Sequence, residues 1–157
     1  MLAERASPPS LVAVYDAVRY AYYNYGVVLV AGAGNNGGAE WYAWPAQWNE
    51  VVGVSQSDVN DQITGSVSYA PGNVEITAPG TSVHTVCKGG TIGLSSGTSM
   101  ATPMVSGAFM VLRQRFPSET PDQLRDRLRR TAVPISDAIG TARTGAGRID
   151  VYAALTQ

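Results

Sequence analysis

Cysteine and histidine each occur once in these 157 residues. The lone Cys87 rules out an intrachain disulfide and reads, in TSVHTVCKGG, as a small buried hydrophobe. The lone His84 confines any chemistry that needs an imidazole from this chain to one position. Long apolar runs are missing too. None approaches the roughly 18 residues of a membrane span, so no transmembrane segment is expected. Charge is sparse: 15% of residues are charged and the net charge is −1. That balance gives no general pull toward nucleic acid or an acidic membrane surface. The opening residues, MLAERASPPS, carry Glu4 and Arg5 and no apolar core, so they do not read as a signal peptide. The composition by itself assigns no compartment.

What is present is a 45% apolar chain. Its length suits one domain with a real core and is short for two. Pro8, Pro9 and Ser10 precede a helix whose stripe is Leu11, Val14, Val18 and Tyr22, ended by Gly26. Strands are expected at 27–31, 51–56 and 74–78, with a short one in TSVHTV before Gly89-Gly90. A helix follows from Thr98 to Arg115, with Ala101, Val105, Ala108 and Leu112 on one side and Gly107 as a place for close approach. Thr120-Pro121-Asp122-Gln123 is a capping box opening a helix over 121–132. Arg125, Arg127, Arg129 and Arg130 then read as a solvated face. A last short helix begins near Asp150. Helices and strands interleave, which predicts an α/β fold with a mostly parallel sheet and helices on both faces.

Two stretches carry possible chemistry. The first is VVLVAGAGNNGG, residues 27–38. It contains G-x-G-x-x-G as Gly32, Gly34 and Gly37, with Asp58 about 20 residues on, as in a dinucleotide-binding turn. That fold needs a helix directly after the glycines, its free N–H groups holding the pyrophosphate. Here GAEWYAWPAQWNE follows, with Pro45 in its middle and no helical stripe. The residues read as loop, and Asp58 as a strand-end or turn residue. The loop also carries Asn35 and Asn36, and a side-chain amide beside a glycine turn is able to donate to a developing negative charge.

The second stretch is GLSSGTSMATPMVSG, residues 93–107. Gly93 to Gly97 fits G-x-S-x-G around Ser95, but the fold that uses this elbow places its histidine after the serine. No histidine follows Ser95. Ser99, in GTSMATP, falls in the first turn of the expected helix. The positive end of the helix dipole lies behind it and its own N–H lacks a helical partner. Both favour an oxyanion beside its Oγ; an ordinary helix-capping serine is the alternative.

GTSMATP resembles the nucleophile motif of the subtilisin-like serine peptidases, the subtilases. VVLVAGAGNNGG resembles their oxyanion-loop strand, WPAQWNEVVGVSQSD and VEITAPGTSV two further family segments, and RTGAGRIDVYAAL their closing helix. The order is the family's and nearly the whole chain is covered. The resemblance implies a serine endopeptidase acting on a polypeptide substrate through an acyl-enzyme on Ser99. Asn35 and the Ser99 N–H would donate to the oxyanion. Ala31, Gly32 and Ala33 would line the pocket for the residue before the scissile bond. Trp44-Pro45 matches a peptide that is often cis. No cofactor enters the reaction. Relatives often bind structural calcium, and carbonyls near Ala46 with the Glu75 carboxylate would offer a weak site. Relatives are mostly secreted, which implies an extracellular setting. Met104 stands where the motif usually has a histidine outside the triad, a change in packing.

The triad order in this family is Asp, His, Ser. No segment resembling the Asp or His motif occurs in residues 1–98, and His84 sits where a turn residue is usual. The sequence therefore reads as the C-terminal part of the catalytic domain, from a truncated gene, an alternative start or a split protein. The isolated chain is expected to be a poor or inactive peptidase. With the strands before it absent, the sheet would expose an edge, so the chain would pair with an N-terminal half or aggregate. A peptide-binding or scaffold role without turnover is the remaining alternative, with dinucleotide binding behind it.

Overall fold

The computed structural model describes residues 9–38, 43–70 and 72–157. A 3₁₀ turn at Pro9–Leu11 leads into helix α1, Val12–Tyr25. Gly26 ends it in the left-handed conformation, its N–H on Tyr22 O and the Val27 N–H on Ala21 O. The buried line of α1 is Val18 and Tyr22, extended by the partly buried Leu11 and Tyr15. Val14 is exposed instead of belonging to the stripe. At 3.6 residues per turn, Leu11, Tyr15, Val18 and Tyr22 stack closely, whereas Val14 lies about 60° from Leu11 on the edge of that row.

Three parallel strands follow: β1, Leu29–Gly32; β2, Val51–Ser57; and β3, Val74–Pro79. They pair in the order β1-β2-β3, with a register shift at Gly53/Val54. Every residue of β2 is buried, as a central parallel strand covered on both faces requires. β1 is an edge strand of this sheet among the described residues. A two-stranded antiparallel ribbon, β4 (Val83–Val86) and β5 (Ile92–Ser95), stands apart from the sheet.

Helix α2, Thr98–Arg115, starts and ends where the sequence predicts. Its Ala101, Val105, Ala108 and Leu112 pack on Val52, Val54, Ile76 and Ala78 of the sheet. On the opposite face, Val18 of α1 meets Trp48 and Val51. Helices thus cover both faces, the expected α/β arrangement. Gly107 does not mediate a close approach: a carbon added there would meet nothing within 4 Å. Helix α3, Pro121–Arg130, opens on the predicted capping box, with Thr120 N–H on Gln123 Oε1 and Gln123 N–H on Thr120 Oγ1. A one-turn helix α4, Thr141–Thr144, and helix α5, Val151–Thr156, complete the chain, α5 capped by Asp150 on the Ala153 N–H. Neither β5 nor α4 was expected.

The arginines of α3 are not one solvated face. Arg125 reaches across to the sheet, where Glu75 takes both its Nε and its Nη2, and its Nη1 donates to Asn49 O and to the Tyr22 hydroxyl. Arg127 pairs with Glu119 and lies over the Phe116 ring. Only Arg129 and Arg130 are exposed. No helix among the described residues is long and apolar enough to cross a membrane.

Candidate active site

β1 runs out at Gly32, and the chain turns into the loop of Ala33 to Gly38. The N–H of Ala33 still bonds Val54 O at 2.9 Å, so the loop leaves the sheet from a fixed point. Helix α2 comes up from the far side with its first turn against this loop. That contact depends on Gly32 having no side chain. A Cβ there would lie 2.8 Å from Thr98 Oγ1 and 3.1 Å from Thr102 Oγ1.

Thr98 ties helix and loop together twice. Its Oγ1 accepts the Gly34 N–H at 3.3 Å, and its own N–H donates to Asn35 Oδ1 at 3.0 Å. Thr98 is buried, so its end of both bonds is fixed in the interior, while Asn35 reaches the surface. An amide whose oxygen is held by a backbone N–H turns its Nδ2 to the other side. A carbon added at Gly97 would lie 3.3 Å from Asn35 Nδ2. Gly97 has φ 151°, a conformation that favours glycine. The residue before the helix is thus small for two reasons, backbone shape and room for the amide.

Asn35 and Ser99 are both exposed, and both line one cavity of about 510 Å³ together with Gly32, Gly34, Thr98 and Thr102. Ser99 is the second residue of an 18-residue helix. Its N–H belongs to the first turn and has no intrahelical acceptor, and the positive end of the dipole faces the cavity. Pro103 removes the N–H that would otherwise bond the Ser99 carbonyl. A hydroxyl, an amide N–H pair and a helix N-terminus therefore share one small space. That combination suits attack by the hydroxyl on a carbonyl whose oxygen becomes negative.

The other expected residues fall as follows. Gly32 lines the cavity. Ala33 is fully buried among Ala46, Val67 and Val74, and Ala31 packs beneath the loop against the same cluster. His84 is exposed on β4, paired with Leu94 of β5, and is not among the residues lining the Ser99 cavity. Ser95 sits in strand β5 opposite Val83 and not in a strand-to-helix elbow. Asp58 forms a turn, its Oδ1 accepting from Asn60 and Gln62 at 2.9 Å each. Among the described residues, 33–38 and 43–50 form no helix of the kind that a dinucleotide turn needs after its glycines. Trp44-Pro45 is cis. Cys87 is exposed near the ribbon's turn and not the buried hydrophobe expected; the tight Cys87–Gly90 turn places it at the tip.

A second cavity, about 600 Å³, opens at the other end of the sheet between Trp48, Glu75, Arg125 and Thr141. The Glu75 carboxylate there is closed by Arg125 and is not left free as one arm of a calcium site. Burial works against the Arg125 charge, but Glu75 outweighs it and holds the guanidinium firmly protonated. Burial, with the bond to Asp122, pushes the Tyr22 hydroxyl up to about 12.

Thr98, which ties the two stretches together, is a residue that motif reading overlooks. Its signal was its place between Gly97 and Ser99, but its partner Asn35 is distant in sequence.

The chain resembles known proteins over nearly its full length. The subtilase family matches residues 3–149. The Minor extracellular protease Epr of Bacillus subtilis is 37% identical over 143 residues, which is 91% of this chain and 22% of that protein. Subtilisin DY of Bacillus licheniformis is 35% identical over 150 residues, 94% of this chain and 53% of the relative. Among solved structures, the serine protease MycP1 superposes with a TM-score of 0.81 at 28% identity, covering 96% of this chain and 49% of that one. Fervidolysin from Fervidobacterium pennivorans gives 0.80 at 29%, covering 93% and 25%. The chain spans about half the length of Subtilisin DY and less of Epr. With its sheet, its Asn35 loop and its Ser99 helix as described, it belongs to the subtilase family of serine peptidases.

Proposed function

We propose that this chain carries the nucleophile and oxyanion-hole part of a serine endopeptidase site. Ser99 attacks the scissile carbonyl of a polypeptide. The Asn35 Nδ2 and the Ser99 N–H receive the oxygen as it becomes negative. Ala31, Gly32 and Ala33 form the wall beside the substrate, with Gly32 lining the cavity and the Ala33 side chain facing the core. The observation that carries the reading is the Thr98 bond to Asn35 Oδ1, which leaves the amide N–H groups free in a cavity that Asn35 and Ser99 line together.

A serine hydroxyl needs a base to take its proton as it attacks, and the leaving amine needs an acid. His84, the one histidine present, stands outside the cavity. The base and its orienting acid therefore come from residues outside these 157. Loss of the histidine in a subtilisin costs about 10⁶ in kcat, so the chain alone is close to inert. The Asp- and His-bearing part of the domain docks along the edge of β1 that is unpaired among the described residues. A neighbouring apolar groove of about 630 Å³ between Val27, Val30, Phe109 and Met110 supports that placement, as does Met110 at 74% exposure. No cofactor takes part. The setting is extracellular, like that of the Epr relative.

A fluorophosphonate probe tests this. Supplied with an Asp- and His-bearing complement, the chain is expected to label at Ser99, and Ser99→Ala to abolish labelling. A chain that binds the complement yet never labels would favour a scaffold role.

A further inference from the structure

The Asn35 loop is gripped from a second side. Ser68 lies between β2 and β3 and is fully buried. Its N–H donates to Gly34 O at 2.9 Å, and its Oγ accepts the Asn36 N–H at 3.2 Å. One residue thus holds the peptide groups immediately before and after Asn35. The grip continues outward, with the Gly37 N–H on Ser66 O at 2.6 Å and the Tyr69 N–H on Gly38 O at 3.4 Å.

Three of these four bonds use only main chain, and many residue types would keep them. The fourth needs a hydroxyl. Ser68 is itself fully buried, and its chain neighbours Val67 and Ala70 belong to a buried apolar cluster with Ala33 and Ala46. A hydroxyl in such a place is unfavourable unless it is bonded, and an alanine would pack with less cost. Its bond goes to the peptide that sets the direction of the Asn35 side chain. The orientation of the Asn35–Asn36 peptide sets ψ of Asn35, and with it the direction in which the Cα–Cβ bond leaves the loop. Thr98 holds the far end of that side chain and Ser68 its root.

We propose that Ser68 is a positioning residue for the oxyanion donor: its hydroxyl locks the Asn36 peptide so that Asn35 Nδ2 stays aimed at the space beside Ser99. The proposal rests on the reading of Asn35 given above.

The test uses the isotope-labelled chain. Hydrogen exchange at the Asn36 N–H and the side-chain resonances of Asn35 are compared in the parent, Ser68→Ala and Ser66→Ala. Ser66 is exposed and contributes its carbonyl, so Ser66→Ala is the matched control. In Ser68→Ala, Asn36 is expected to exchange at least about fivefold faster, as loss of one hydrogen bond implies. The Asn35 Nδ2 resonances move toward those of a free amide, and exchange at Val54 in the core is unchanged. A folded Ser68→Ala chain with parent-like exchange at Asn36 and parent-like Asn35 resonances overturns the proposal. Ser68→Thr keeps the acceptor and is expected to retain protection at Asn36; loss of that protection in a folded chain also counts against it. With the Asp- and His-bearing complement added, Ser68→Ala lowers kcat about tenfold with KM unchanged, and lowers it no further in an Asn35→Ala background. Failure of the underlying reading looks different: Asn35→Ala then leaves turnover unchanged while the exchange effect of Ser68→Ala persists.

Discussion

Thr98 donates its backbone N–H to Asn35 Oδ1 at 3.0 Å, and this bond fixes which atom of the amide faces helix α2 and which is left free to donate. Asn35→Asp separates the two jobs of the side chain. A carboxylate still accepts from Thr98, and the N-terminus of α2 favours it. It has no N–H to give. Turnover of the chain with its complement is expected to fall by about 10²–10³ or more in kcat, the loss measured for the corresponding donor in a subtilisin. The thermal midpoint should move little. Steady-state kinetics on a chromogenic peptide, beside a melting curve, measure both.

Gly32→Ala tests the close approach of β1 and α2. The added methyl would sit 2.8 Å from Thr98 Oγ1. Overpacking of this kind costs about 1–3 kcal/mol. Urea denaturation should show that loss, and the Asn35 side-chain resonances should shift because Thr98 has been pushed aside.

The ends of α2 and the capping box of α3 were legible because local chemistry sets them: Gly97 and Phe116-Pro117 in one case, Thr120 and Gln123 in the other. β1, β2 and β3 showed as β-branched runs between turn residues. β5 was hidden because Ile92–Ser95 is half glycine and serine and merges with the serine motif. α4 is a single turn, too short to show a period. The pairing of Asn35 with Ser99 was legible only through the family's motifs. The bonds that aim the amide come from Thr98 and Ser68, distant in sequence, and no local pattern reports them. The same distance explains the misread arginine face, since Glu75 lies 50 residues from Arg125.

Arg125→Met should destabilise the fold by about 3–5 kcal/mol. It leaves the Glu75 carboxylate, with a side chain only 9% exposed, without a partner. Adding Glu75→Leu removes the stranded charge and should recover most of the loss. A double-mutant cycle by chemical denaturation checks both values.

Tyr22 makes stability fall at high pH. Its hydroxyl is raised by burial, then by Asp122, from 10 to about 12 in the fold. The folded state therefore holds this proton more tightly than the unfolded chain. The stabilisation is complete below pH 10 and is lost as pH rises toward about 12. Its size is up to about 2–3 kcal/mol. Tyr22→Phe should flatten that decline, as read by denaturation at a series of alkaline pH values with tyrosinate absorbance in parallel.

The Thr98 tie lies wholly within this chain, so the orientation of the Asn35 amide is set by residues 35 and 98, whatever the rest of the enzyme contributes. Its geometry then survives any change that removes the proton carrier, so losing the base would silence the reaction without disarranging the Asn35 amide.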